Sequence, residues 1–135
     1  MDLPLICDTV MKLYLYADNA KRIHYTIESS HGHKLCDEIR DEILKFVDDL
    51  AEQSFGYIGK PSWTDFKDLS KLEIYEVDDL AKLCEHVKDL VEALQKSFAD
   101  NEDDDASGII SLMDDFKGSM DKMKFLTTFD KVSNA

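Results

Sequence analysis

Four polar side chains in the N-terminal half of the chain have the types and the spacing of metal ligands. His33 is followed by Asp48 after fourteen intervening residues and by Glu52 after three more, and His24 precedes them. On a helix, residues four apart lie one above the other, so Asp48 and Glu52 could both contact one cation. Without a cation, two like charges at this spacing repel by about a few tenths of a kcal/mol. Mixed histidine and carboxylate ligands suit iron or zinc better than calcium or magnesium.

The elements that would position these residues are predicted to be helices. Only five glycines and two prolines interrupt the chain, and the apolar residues recur at steps of three and four. Four apolar stripes run from Ile6 to Ile27, from Cys36 to Leu50, from Leu80 to Phe98 and from Ile109 to Thr127. No alternating pattern competes with them. We therefore expect an all-α fold with four helices.

The segments between the stripes predict how the helices are connected. Short turns follow the first stripe, at Ser29–Gly32, and the third, at the acidic run Asn101–Asp105. The middle connection, from Gly56 to about Tyr75, is long enough to cross the bundle and contains a predicted short helix, Trp63–Phe66. We expect Trp63 to anchor this connection. The pattern is typical of a four-helix bundle that forms a single domain over residues 1–135.

The second predicted helix has two distinct faces. At about 100° per residue, its apolar residues gather on one side, which must face the core of the bundle. Five polar residues and one leucine gather roughly opposite: His33, Asp37, Asp41, Leu44, Asp48 and Glu52. This second face is either a solvated acidic surface or part of a metal site. Because it points away from the chain's own core, a metal site there requires a second subunit to cover it.

At these residues the chain resembles the Dps-type miniferritins of the ferritin-like superfamily. Members of that family carry a histidine late in the first helix and another early in the second, then an aspartate after fourteen residues and a glutamate after three more. The segments Asn19–Tyr25 and Gly59–Pro61 are also similar. The interval between the two histidines is three residues shorter than is usual in the family. His31 is therefore an alternative to His33, and Asp37 is a further candidate ligand.

The resemblance implies a fold, an activity and a partner. The fold would be a ferritin-like four-helix bundle with a short helix in the long connection between helices two and three. His24 and His33 of one subunit, with Asp48 and Glu52 of its two-fold mate, would bind Fe(II) and oxidise it. Hydrogen peroxide is the usual oxidant in the family, and the ferric iron collects inside a twelve-subunit shell. The alternative is a ferritin-like bundle without ferroxidase activity that has a structural or assembly role.

Composition limits the partners. Sixteen basic residues against 29 acidic ones give a net charge of −13, spread along the chain, so we expect no nucleic-acid partner. No apolar run reaches the roughly 18 residues of a membrane span, and Met1–Pro4 lacks the start of a signal peptide. The three cysteines, Cys7, Cys36 and Cys84, are too widely spaced for a disulfide framework. A cytoplasmic location is therefore expected.

A metal centre inside a single subunit is not expected. Other di-iron bundles use Glu-x-x-His pairs that face the bundle core. Glu28 and His31 have that spacing, but they straddle the end of the first helix, and the third and fourth predicted helices offer no such pair. We expect Cys36 and Cys84 to be small buried residues, and the methionines of the last helix to belong to the core.

Overall fold

The computed structural model describes residues 3–100 and 106–129. These residues form four long helices, with no strand among them. The helices are α1, Leu3–Thr26; α2, Ser30–Ile58; α3, Leu80–Asp100; and α4, Ser107–Leu126. The connection between α2 and α3 contains two 3-10 helices, Trp63–Asp65 and Leu69–Lys71. The all-α prediction is confirmed, and the predicted turn Asn101–Asp105 lies outside the described residues.

Local signals set both ends of α2. At its start, the Ser29 side chain accepts a hydrogen bond from the backbone N–H of Gly32, at 3.1 Å, which satisfies one of the free N–H groups of the first turn. At its end, Gly59 has a φ of 133° and donates its N–H to the carbonyl of Phe55. Residues with a side chain rarely adopt that φ, so a glycine is required where α2 stops.

Each long helix packs mainly against two others, and all these neighbours are antiparallel. α1 packs on α2 and α3, and α4 packs on the same two helices. Lys88 of α3 pairs with Asp121 of α4 at 2.8 Å, and the rings of Phe46 on α2 and Phe116 on α4 stack at 3.9 Å. α1 and α4 therefore lie diagonally across the bundle, as do α2 and α3.

The connection between α2 and α3 runs along α1 from one end of the bundle to the other. Near the start of α1, Lys67 pairs with Asp8 at 2.8 Å. Near its end, the Asn19 side chain donates to the carbonyl of Val77 at 2.7 Å and accepts from the Val77 N–H at 2.9 Å. α3 therefore begins at the end of the bundle where α2 begins, and these two helices run in the same direction.

The predicted apolar stripes form the core. Cys36, Cys84, Met113 and Met120 are buried as expected, together with the branched residues of all four helices. Burial raises the pKa of the Cys36 and Cys84 thiols to about 12, so neither is a reactive thiolate at neutral pH.

The prediction for Trp63 was wrong. Its side chain is 89% exposed and does not anchor the connection. The turn around it is held by polar contacts instead, because Asp65 accepts hydrogen bonds from the backbone N–H and the hydroxyl of Ser62. The indole lies at the edge of an open groove that Met11 and Leu69 also line. Among the described helices, none is both long enough and apolar enough to cross a membrane.

Candidate metal site

The turn between α1 and α2 brings His24 and His33 together. Their rings stack with centroids 3.6 Å apart and planes inclined by 26°. His24 is buried, with 8% of its surface exposed, whereas His33 is exposed. The short turn thus presents the two predicted histidines side by side at one end of the bundle, with the pair open to solvent on the His33 side.

Reciprocal hydrogen bonds set the tautomer of both rings. His24 Nδ1 donates to the backbone carbonyl of His33 at 2.8 Å, and His33 Nδ1 donates to that of His24 at 2.9 Å. A carbonyl oxygen can only accept, so each Nδ1 carries a proton. The lone pair of a neutral ring is then on Nε2. Histidine ligands of metals commonly have this arrangement, with one ring nitrogen bonded to a carbonyl and the other free to coordinate.

Asp37 lies one helical turn after His33 and adds a carboxylate to the pair. Its Oδ1 is 3.4 Å from His24 Nδ1 and 3.1 Å from Lys21 Nζ. The hydrogen bond from Lys21 lowers the pKa of the Asp37 carboxyl, with smaller contributions from the two histidines, so this group stays ionised at neutral pH. Imidazole and carboxylate are ligand types that suit a first-row divalent metal, but here the carboxylate lies against the Nδ1 of His24, which the carbonyl of His33 already occupies.

Lys21 is the residue of this cluster that the ligand pattern missed. Lysine is not an ordinary metal ligand, so a search for ligand types passes over it. Its position three residues before His24 did contain a signal, because residues three apart share one face of a helix.

Asp48 and Glu52 lie elsewhere on α2 of the same chain. Both are exposed, and they are one turn apart, as the spacing predicts. Asp48 comes fifteen positions after His33 on the helix, which corresponds to roughly 22 Å along the axis. These carboxylates therefore cannot share an ion with the histidines of their own chain. Within residues 3–100 and 106–129, no three His, Cys, Asp or Glu side chains are grouped to hold a metal.

His31 is engaged with the opposite helix. Its Nε2 donates to the backbone carbonyl of Leu126, at 3.1 Å, and so ties the start of α2 to the last turn of α4. One of its two ring nitrogens is thus already used. His33 also uses one ring nitrogen in a bond to a carbonyl, but its ring stacks on His24, which makes it the better placed of the two alternatives.

No protein-family model, curated protein or solved structure matches the chain. The site therefore consists of the stacked histidines, which share one tautomer, and the neighbouring Asp37.

Proposed function

We propose that this chain is a Dps-type miniferritin that oxidises Fe(II) with hydrogen peroxide and stores the ferric iron in an oligomeric shell. The observation that carries the proposal is the stacked pair His24 and His33. Each ring is bonded through Nδ1 to the other residue's carbonyl, so a neutral ring keeps the lone pair of its Nε2. In a bundle whose other buried residues are almost all apolar, that arrangement suits metal binding.

The connectivity of the bundle supports a ferritin-like fold. Two antiparallel helix pairs are joined by one long connection that runs the length of the bundle, and α2 and α3 point the same way. Ferritin-like bundles have one long crossover of this kind, whereas simple up-down bundles have only short loops.

A two-fold partner would complete the site. His33 and Asp37 lie on the same exposed face of α2 as Asp48 and Glu52, near opposite ends of that helix. In an interface with two-fold symmetry, if one end of the face contacts the other end on the partner, the reverse contact forms as well. A two-fold axis near the middle of α2 would therefore bring the histidines of each chain to the carboxylates of the other, giving two sites per dimer.

The residues have complementary chemical roles in this proposal. Neutral imidazoles bind Fe(II), and the carboxylates offset the positive charge that oxidation adds. Each Fe(II) gives up one electron, and two such electrons with two protons reduce one hydrogen peroxide to two waters. Iron is both the substrate and the stored product. The net charge of −13 favours the approach of cations and disfavours nucleic acid.

The proposal is tested by removing the carboxylate pair. In Asp48→Ala/Glu52→Ala, rapid formation of ferric product from Fe(II) and peroxide should be lost, since these groups complete the partner's site. Helical circular dichroism should be unchanged, because both side chains are exposed. The matched control is Glu38→Ala/Glu42→Ala, which removes two carboxylates of the same spacing from another face of α2.

Two results would count against the proposal. If the control variant loses as much activity as the Asp48/Glu52 variant, the effect reflects charge rather than a site. If the wild type oxidises Fe(II) no faster than buffer, with peroxide or with oxygen, there is no ferroxidase, and a bundle with a structural or assembly role takes its place.

A further inference from the structure

An apolar groove lies where the connection between α2 and α3 crosses α1, and the indole of Trp63 stands at its rim. Met11 of α1 and Phe66 and Leu69 of the connection line the groove, which has a volume of about 650 Å³. Pockets that hold small ligands measure roughly 300–1,000 Å³, so an aromatic side chain fits here. Trp63 is 89% exposed and Leu69 is 56% exposed. An apolar ring and an apolar groove therefore lie side by side, and the ring does not fill the groove of its own chain.

Polar contacts fix the turn that carries the indole. Asp65 accepts hydrogen bonds from the backbone N–H and the hydroxyl of Ser62, at 2.8 and 3.1 Å, which close the 3-10 helix Trp63–Asp65. Lys67 then pairs with the largely buried carboxylate of Asp8 on α1, at 2.8 Å. The indole is thus presented at a defined place on α1. A partner that binds it does not first have to order a mobile loop, which lowers the entropic cost of association.

The charge beside the groove differs from that of the rest of the chain. Positions 59 to 72 contain three lysines and two aspartates, a net charge of +1 in a chain whose net charge is −13. Two copies of the chain repel each other through most of their acidic surface, and this nearly balanced stretch is where they can approach with the least repulsion. A strongly basic partner would find more favourable charge elsewhere on the chain. The charge pattern therefore favours a second copy as the occupant of the groove.

The groove also lies level with the middle of α2. His24 and His33 lie side by side on antiparallel helices, so Met11, thirteen positions before His24, is level with Phe46, thirteen positions after His33. Phe46 is within one turn of the middle of α2. The exposed face of α2 borders α1, because an ion pair joins the two helices there. The groove is therefore at the level through which the proposed two-fold axis passes.

We propose that two copies of the chain pair across this two-fold axis with Trp63 of each copy seated in the groove of the other. The ring and the groove belong to one patch, so a single two-fold contact fills both grooves and covers both rings. Tryptophan is among the residues that most often dominate the energy of an interface, because it removes a large apolar area from water. The inference rests on the proposed function for the position of the axis and does not depend on iron.

The experiment measures the mass of the full-length chain by light scattering over a dilution series. Trp63→Ser removes the ring, and Leu69→Glu places a charge in the groove. Tyr75→Ser is the control for the first, since it removes a 77% exposed aromatic ring from the same connection. Ser70→Glu is the control for the second, since it adds the same charge at an exposed neighbour that does not line the groove. All four positions are exposed, and circular dichroism checks that each variant keeps its helices.

Trp63→Ser and Leu69→Glu should each raise the concentration at which half of the chains are assembled by about a hundredfold, because both contacts across the axis are lost. The two controls should stay within about twofold of the wild type. An equimolar mixture of Trp63→Ser and Leu69→Glu should assemble at a concentration about tenfold lower than either variant alone. In a mixed pair, the intact ring of one chain meets the intact groove of the other, so one of the two contacts is restored.

The possible results separate this inference from the proposed function, which is measured as Fe(II) oxidation by the wild type with peroxide. If Trp63→Ser assembles as the wild type does, or if the mixture assembles no better than its components, the Trp63 contact is overturned and the ferroxidase proposal stands. If the mixture recovers assembly but the wild type oxidises no iron, the contact stands and the ferroxidase proposal fails. A wild type that is monomeric at every concentration overturns the contact and the shared sites together.

Discussion

The two histidines of the candidate site also hold the helices that carry them. Each ring bonds the backbone of the neighbouring helix, so the contact closes the α1–α2 turn in both directions. Replacing His24 by a smaller residue would leave a cavity at a position that is only 8% exposed, and the His33 carbonyl would lose its hydrogen bond. Such a substitution therefore lowers the free energy of unfolding as well as removing a ligand. His33 is exposed, so its removal separates metal binding from folding more cleanly.

We predict different losses for two histidine substitutions near this turn. His33→Ala should weaken Co²⁺ binding by roughly tenfold or more, because an Nε2 ligand is lost. His31→Ala should leave Co²⁺ binding intact and lower the free energy of unfolding by about 1 kcal/mol, because its bond to Leu126 is lost. Calorimetry and urea unfolding of both variants measure the two effects. The reverse ranking for Co²⁺ would make His31 the ligand.

Residue types and spacing predicted part of this cluster. They indicated His24, His33 and Asp37, because ligand types on helical spacing can be recognised within a short window of sequence. They did not indicate that His31 bonds to Leu126, since those residues are 95 positions apart and only the folded chain brings them together. The pairing of His24 and His33 with Asp48 and Glu52 of a second chain stays a prediction.

At the scale of the elements, α2 ends where the backbone adopts a conformation that only glycine tolerates well. Gly59 has a φ of 133°, whereas Gly56, three residues earlier, is helical and exposed. Apart from the adjacent residues and the backbone of its own helix, neither glycine has another heavy atom within 4 Å of where a Cβ would lie. The two positions therefore differ in backbone conformation but offer similar room for a side chain, which makes them a matched pair.

We predict that alanine has opposite effects at these two glycines. Gly59→Ala should lower the free energy of unfolding by about 1–3 kcal/mol, because the backbone would be strained. Gly56→Ala should raise it by about 0.5–1 kcal/mol, because alanine loses less conformational entropy in a helix. Urea unfolding followed by circular dichroism measures both. Equal effects would mean that the chain can end α2 without the positive φ.

The long helices could be predicted from the sequence, but the path of the connection could not. Apolar periodicity over about twenty residues is a strong signal, and each predicted stripe lies within a helix or ends just beyond it. The second 3-10 helix depends instead on the Asp68 side chain, which accepts from the N–H of Ser70. The attachment of Val77 to Asn19 joins residues 58 apart, and apolar spacing gives no information about such a contact.

At the scale of the whole molecule, the charge distribution and the unpartnered face of α2 both bear on assembly. Exposed carboxylates cover the outside of the bundle, and the face with Asp48 and Glu52 is not covered by any other part of the described chain. A net charge of −13 opposes close approach of identical chains unless cations or specific contacts offset it. Cation binding and oligomer formation should therefore reinforce each other.

We predict an oligomer built from two-fold dimers, with twelve chains in the complete shell. Light scattering at micromolar concentration should give about twelve times the 15.5 kDa mass of the chain, and the mass should persist or increase when Fe(II) is added. Asp48→Ala/Glu52→Ala should assemble without iron as the wild type does. A monomer under both conditions would contradict the prediction and would leave each histidine pair without a partner's carboxylates.

The exposed position of Trp63 gives the molecule an intrinsic optical reporter. It is the only tryptophan in the sequence, so its fluorescence comes from one known place on the connection beside α1. An indole in water emits at longer wavelength than one surrounded by apolar groups, and this ring is 89% exposed in the single chain. The emission maximum should therefore shift to shorter wavelength when another surface covers that side of the bundle, without any label being attached.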